Sequence, residues 1–543
     1  MDTATLVLII LAIIYIPIWV WVWRNPEKAL RYHLVKYGPL IMIKTKLGIK
    51  SMDKIAKYKT FWHIFGYTSR FLSAVLFLLM MYMLLMSVLV LPSRLGSGGI
   101  GIQYALAIPG FNPMLPLTYG ILALFIAMVV HEMGHGIQSR VNGCDVDSTG
   151  LLYGVVPWGA FCEPNEEQLP KLPRGAQLDV YAAGITVNTF VAVISIALML
   201  VICSGITVAD YGQGSGDDDL PGVYYIDKDS PAFYSGIPTS ALVTGVKLVG
   251  ESEYHSVTAL ASDKAVSIYS ESLELLPTQM YVLEYILEDG QKHESSPLQM
   301  GALIKSVSNN SPAKEAGLEV LTYLYSITIT DLDGKVTKTL IHNSNDFFDV
   351  MKTTSGGDLA VVETVTISSD GKTISDPYEH DEVTLTSSGS QGYLGISVTE
   401  SGFTVTTPTI MMDSATNPFY NCSDPYSYIQ GFFKYLAGPV NGLDPISDSI
   451  TWWYDAPAGG ITWILVKIFY WLFWLDILLA ISNALPAYPF DGGFLFEGGI
   501  NWLLEKLGIK DAERRSKMSS NIARSVSTVT LMMFFLVILT FVI

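Results

Sequence analysis

The run Ala127-Met128-Val129-Val130-His131-Glu132-Met133-Gly134-His135-Gly136 sets three ionisable side chains in an apolar stretch, roughly 116–138, long enough to cross a membrane. Two histidines four residues apart project from one helix face, one turn apart. That spacing lets both imidazoles reach a single zinc ion. Glu132 lies beside the first histidine, where it can take a proton from a metal-bound water. Ionisable groups inside a membrane are costly and are kept for function. Of the eight histidines in the chain, only His131 and His135 fall within predicted spans.

A zinc ion used for chemistry needs a third protein ligand and an open position. The candidate follows a later apolar stretch, in Asn483-Ala484-Leu485-Pro486-Ala487-Tyr488-Pro489-Phe490-Asp491-Gly492-Gly493. Pro486 and Pro489 should break the helix. The broken backbone lets the Asp491 carboxylate turn back into a bundle, and Gly492-Gly493 permits close approach of chain to metal. Asp491 is therefore the expected third ligand. Zinc is inferred from ligand type, and the residues leave another divalent ion open.

Outward from these motifs the chain reads as a polytopic α-helical membrane protein. Half of its 543 residues are hydrophobic and 15% are charged, and mean hydropathy is +0.37. Six stretches reach spanning length, roughly 4–23, 71–91, 116–138, 179–204, 461–485 and 525–543. Trp19, Trp21 and Trp23 crowd the end of the first like an interfacial belt. Eleven Lys and Arg lie in 24–70 and six in 494–524, against Arg94 alone in 92–115. The basic loops are expected on the cytoplasmic side of a cell membrane. The insert 205–460 is then extracytoplasmic. The net charge of −17, with no basic cluster on a folded domain, argues against nucleic-acid partners. Cys144, Cys162, Cys203 and Cys422 form no CxxC pair and read as ordinary residues.

The insert is rich in short alternating runs such as Val361-Val362-Glu363-Thr364-Val365-Thr366-Ile367, a strand pattern. It also repeats. Ser230-Pro231-Ala232-Phe233-Tyr234-Ser235-Gly236 resembles Ser311-Pro312-Ala313-Lys314-Glu315-Ala316-Gly317, each after an apolar strand. The SPAxxxG pattern resembles a PDZ domain, in which it opens a short helix that Gly ends. Two tandem PDZ-like modules are expected, roughly 205–297 and 298–400, followed by a connecting segment 401–460. They lie between membrane halves 1–204 and 461–543. Gly392-Tyr393-Leu394-Gly395-Ile396 resembles the carboxylate-binding turn of PDZ domains but sits late in the chain. Asn421-Cys422-Ser423 fits a glycosylation sequon.

HExGH in one span with NxxPxxPxDGG at a later one resembles the site-2 protease family of intramembrane zinc metalloproteases, and the PDZ-like insert suits archaeal and bacterial members. The resemblance implies hydrolysis of peptide bonds in transmembrane protein substrates within the lipid bilayer, after a first cut by another protease. It implies that Glu132 acts as base and then acid, and that Asn483 holds the substrate or its oxyanion. Gly184-Ile185-Thr186-Val187-Asn188 matches the family's GxxxN pattern, so Gly184 and Asn188 are expected to support the site. The segment 150–165, with Gly159 and Phe161, resembles the family's re-entrant β-hairpin, which offers a strand edge to substrate. Asp476, about two turns before Asn483, reads as a paired or cavity-facing acid. Two other readings fit fewer residues: a catalytically inactive membrane adaptor with peptide-binding modules, and a prenyl-protein endoprotease.

Overall fold

A computed structural model describes the chain apart from residues 1–2, 95–100, 106, 156, 212–219, 263–264, 368–372, 390, 421, 439–444 and 540–543. Asn421 of the sequon therefore lies outside the described residues. The described residues divide into two compact units: a membrane unit (1–204, 436–445 and 460–543) and an insert (205–435 and 446–459).

The membrane unit opens with helix α1 (Thr3–Arg24), strands β1 (Leu34–Tyr37) and β2 (Leu40–Thr45), and the short helix α2 (Ile49–Ile55). Then follow helices α3 (Lys59–Arg94) and α4 (Leu117–Val141), strands β3 (Val146–Tyr153) and β4 (Pro157–Pro164), and helix α5 (Arg174–Cys203). The basic loop 24–70 is thus a folded element. Gly38-Pro39 turns β1 onto β2, and β2 pairs antiparallel with β3 from Ile41↔Tyr153 to Thr45↔Thr149. The 150–165 segment is a hairpin, and the four strands form one sheet in order β1-β2-β3-β4. Tyr15 and Val22 of α1 pack with Ile41 beneath that sheet, and the Tyr15 hydroxyl donates to the Pro39 carbonyl (2.7 Å). Met52 of α2 packs on Ile137 and Val141 of α4.

The insert holds two modules built on one strand plan. In the first, β5 (Gly222–Ile226) leads into the short helix α6 (Pro231–Tyr234). Strand β6 (Leu242–Leu248), a strand pair β7 (Thr258–Ala261) and β8 (Val266–Tyr269), and β9 (Met280–Ile286) follow. In the second, β10 (Ala302–Val307) leads into α7 (Pro312–Glu315), β11 (Tyr323–Thr330), helix α8 (Ser344–Lys352) and β12 (Leu359–Val365). Strand β13 (Ile396–Glu400) pairs with β10, and β14 (Phe403–Thr406) pairs with β5. The helix starts match: the Ser230 Oγ accepts from the Phe233 N–H and the Ser311 Oγ from the Lys314 N–H. Both helices end in left-handed glycines, Gly236 and Gly317.

The repeat extends to a turn that carries no shared motif. Leu394 and Gly395 accept from Ala313 and Ser308, as Ser401 and Gly402 accept from Ala232 and Asp227. Gly395 and Gly402 have φ of 94° and 92°. Strand β14, which falls in the 401–460 segment, therefore completes the first module after the second has been built. Phe403 and Val405 belong to the first module's core. Helix α9 (Pro408–Thr416) follows it.

The chain ends with α10 (Gly460–Asn483), α11 (Asp491–Lys506) and α12 (Ala512–Leu539), which belong to the membrane unit. Against the six spans expected, five helices among the described residues, α3, α4, α5, α10 and α12, are long and apolar enough to cross a membrane. Helix α1 contributes a shorter apolar stretch, Ile9–Arg24. Helix α5 packs against α4 and α10, with Ile185 buried beside Ala480 and Ile481.

Candidate metal centre

Helix α4 carries its polar residues at the end nearer its C-terminus, where it is most buried: His131, Gly134, His135 and Gln138 all lose most of their exposure. Beyond α10, Pro486 and Pro489 interrupt the helix, and α11 begins at Asp491 itself. An acid on the first turn suits the positive end of that helix. Gly492 allows the turn to press on the Ala484 backbone, where a Cβ would collide with the Ala484 carbonyl. The close approach these glycines permit is thus of chain to chain, where the sequence suggested chain to metal.

The three expected ligands converge. His131 Nε2 lies 3.2 Å from His135 Nε2. Asp491 Oδ2 lies 3.2 Å from His131 Nε2 and 3.3 Å from His135 Nε2. A tetrahedral ion with donor bonds of about 2.0–2.1 Å has donor–donor edges of about 3.3 Å, so these three atoms form one face of such a site. Asp491 Oδ2 is buried without a hydrogen-bond partner, as a ligand oxygen aimed at an ion would be. The residues fit zinc: two neutral imidazoles and one carboxylate, with a fourth position left to solvent or substrate.

The surroundings orient the donors. His135 Nδ1 donates to the Val180 carbonyl of α5 (2.7 Å), which leaves Nε2 as the lone-pair nitrogen. The next residue back, Asp179, is buried and holds Arg70 of α3 through two bonds of 2.5 and 2.9 Å. That clamp ties α3 to α5 beside the Val180 carbonyl. Gly184 lies directly against the ligands. A Cβ there would sit 2.7 Å from His131 Cε1 and closer still to His135 Nε2, so any side chain would displace the imidazoles.

Glu132 does not join the three ligands. Its Oε2 accepts from the Cys162 backbone N–H on β4 (2.8 Å). Strand β4 is the last strand of its sheet and carries Gly159 and Phe161. A cavity of about 270 Å³ adjoins them, lined by Glu132, Val129, Phe125, Phe161 and Cys162.

The remaining expected residues lie in α5 and α10. Asn188 is fully buried and donates to the Ala127 carbonyl (3.3 Å), joining α5 to α4 one turn before the first ligand. Asn483 is the last residue of α10 and its amide bonds the Leu479 carbonyl of its own helix. Asp476 is fully buried, and neither carboxylate oxygen has a hydrogen-bond partner among the described residues. Sequence reasoning missed the Val180 carbonyl and the Cys162 N–H, because backbone groups carry no side-chain signature. It also missed the Arg70–Asp179 pair, although opposite charges at the ends of two apolar stretches were there to read.

The comparisons with known proteins agree with this geometry. Residues 119–534 match the family described as peptidase family M50, which covers α4, the insert and most of the last helix. The uncharacterized protein MJ0971 of Methanocaldococcus jannaschii is 33% identical over 172 residues, 31% of this chain. The match spans less than half, 45%, of that relative. From HExGH on a buried helix, a converging Asp491 and a family match over most of the chain, this protein belongs to peptidase family M50, the site-2 protease family of membrane metalloproteases.

Proposed function

We propose that the chain is an intramembrane zinc endopeptidase that hydrolyses peptide bonds within or near transmembrane segments of other proteins. One observation carries this reading: His131 and His135 of α4 meet Asp491 of α11 at tetrahedral spacing, beside a Glu132 tied to an open strand edge.

His131, His135 and Asp491 would hold the ion, and Gly184 would keep α5 close enough to wedge the imidazoles in place. Bound there, zinc supplies Lewis acidity toward a carbonyl oxygen and acidifies water. Glu132 takes a proton and returns it to the leaving amine. The Cys162 N–H holds one of its oxygens, which fixes the carboxylate's direction. A substrate helix must unwind to be cut, and its freed backbone groups need partners away from water. The outer edge of β4 offers those partners, with Gly159 leaving room and Phe161 walling the adjoining cavity. Asn483 would steady the developing oxyanion once its amide turns from Leu479. Asn188 supports the site through α4.

The strand plan, capped SPA helices and Gly395 and Gly402 turns support a PDZ-like reading of both modules, and with it peptide capture by strand addition. The basic loops support a cytoplasmic placement of the sheet β1-β4 and an extracytoplasmic insert. The modules then act on substrate ectodomains, favouring those already trimmed.

The test is metal analysis of purified protein together with cleavage of a model transmembrane segment. The parent should hold one equivalent of zinc and cleave. Glu132→Gln should hold zinc and not cleave. Equal processing by both would instead favour the membrane-adaptor reading.

A further inference from the structure

The insert contains a second cavity, an open cleft of about 660 Å³, lined by β13, β14, α8, α9 and the β7–β8 pair. That is within the usual size of a ligand pocket. Its walls are mixed: Phe348, Val398, Ile410 and Met411 supply apolar surface, and Thr399, Thr404 and Ser414 supply polar groups. Glu400 also lines it and is 3% exposed. One Glu400 oxygen accepts from the Ser344 N–H at the start of α8 (3.1 Å). The Ser267 and Ser344 hydroxyls also face the carboxylate. Among the described residues no basic side chain pairs with it. A carboxylate taken out of water with no cation beside it is costly to keep charged, and burial, with the nearby Asp346 carboxylate adding to it, raises the Glu400 carboxyl to about 7.

A helix cap alone does not require this arrangement. Asn343 already caps α8 through the Asp346 N–H, as Ser230 and Ser311 cap the shorter helices. Glu400 adds charge where an amide would serve. The cavity's one described cation, Lys434, is exposed. A charge left in water binds weakly, whereas a buried charge governs what can enter beside it. A long aliphatic stem ending in a cation matches both features, with methylenes along Phe348, Val398 and Met411 and a charged head at Glu400.

We propose that this cavity binds a peptide segment through a Lys or Arg side chain whose cationic head pairs with Glu400. The proposal rests on the peptide-binding reading of the insert and adds to it a preferred side chain. It makes the insert a reader of basic residues in the chains presented to it, independent of the metal centre.

The test uses full-length protein in detergent carrying Glu132→Gln, so that nothing is cut. The probes are fluorescein-labelled peptides Ser-Val-X-Val-Ser with X arginine, norleucine or glutamate, measured by anisotropy. The arginine peptide should bind at least about tenfold more tightly than the norleucine peptide, with glutamate weakest. Adding Glu400→Gln should remove that preference while norleucine binding stays. Equal binding of the arginine and norleucine peptides overturns the proposal, and so does a preference that survives Glu400→Gln. If that variant does not fold, the series in the Glu400 protein decides alone. Binding of none of the three overturns both the proposal and the peptide-binding reading, while zinc content and cleavage still report on the protease reading.

Discussion

Asp491 in the membrane unit and Glu400 in the insert are both carboxylates removed from water, and they are met in opposite ways. Asp491 has two imidazole nitrogens within 3.3 Å, spaced as an ion's ligands are. Glu400 has a backbone N–H and two serine hydroxyls, and beyond them a cavity. The contrast teaches that burial does not assign a role. What assigns it is whether the protein supplies the compensating groups or leaves a space for them. Glu163 on β4 gives the exposed limit, about one-third open to solvent and paired with Lys44 at 2.7 Å.

The sharpest break in this comparison is to remove Asp491. Asp491→Ala should abolish zinc binding and cleavage together, read by metal analysis and peptide hydrolysis. Glu132→Gln should lower cleavage by about 10³-fold or more with zinc retained. Gly184→Ala touches the same centre only through crowding and should weaken zinc affinity by about 10–100-fold, measured by competition with a chelator.

Glu400→Gln tests the other side. The folded protein holds this carboxyl at about 7, above its ordinary 4.5, so folding favours the protonated form. The parent is then most stable below about pH 4.5 and loses that margin as pH rises through 7. Glutamine does not titrate and still accepts from Ser344. The variant should therefore gain stability relative to the parent, by about 3 kcal/mol at pH 8 and by almost nothing near pH 4. Hydrogen exchange of β13 and α8 in the full-length protein reads this. Lys44→Ala should have the smallest effect, less than about 1 kcal/mol, because its pair with Glu163 is about one-third open to solvent. A shift in melting temperature of more than a few degrees would place that pair among the buried ones.

The parts legible in the sequence were those written as side-chain patterns. HExxH spacing and the twin prolines before Asp491 led to three residues that the structure brings within contact distance. Helical hydropathy found the five long apolar helices, and its sixth stretch, 4–23, falls on the shorter apolar helix α1. Strands β1 and β2 were hidden because Lys36, Lys44 and Lys46 made their segment read as a charged loop, although Gly38-Pro39 marked the turn. Strand β14 was hidden for a different reason. Its partner β5 lies across a whole module, and no local pattern reports a pairing at that distance. Glu400 looked like one of thirty-four acids in the insert, because burial of a single residue leaves no trace in composition.

The late return of β14 also governs how the chain comes to be folded during synthesis. Ile226 pairs with Phe403, so the first module leaves the ribosome lacking one of its own strands. It must wait, edge exposed, until the second module has been made and has closed upon itself through β13. Contacts this far apart in sequence form slowly, and the open edge of β5 is prone to wrong partners meanwhile. A chain cut anywhere between the two modules would strand the first one unfinished. The pair is inherited, and fails, as a single object.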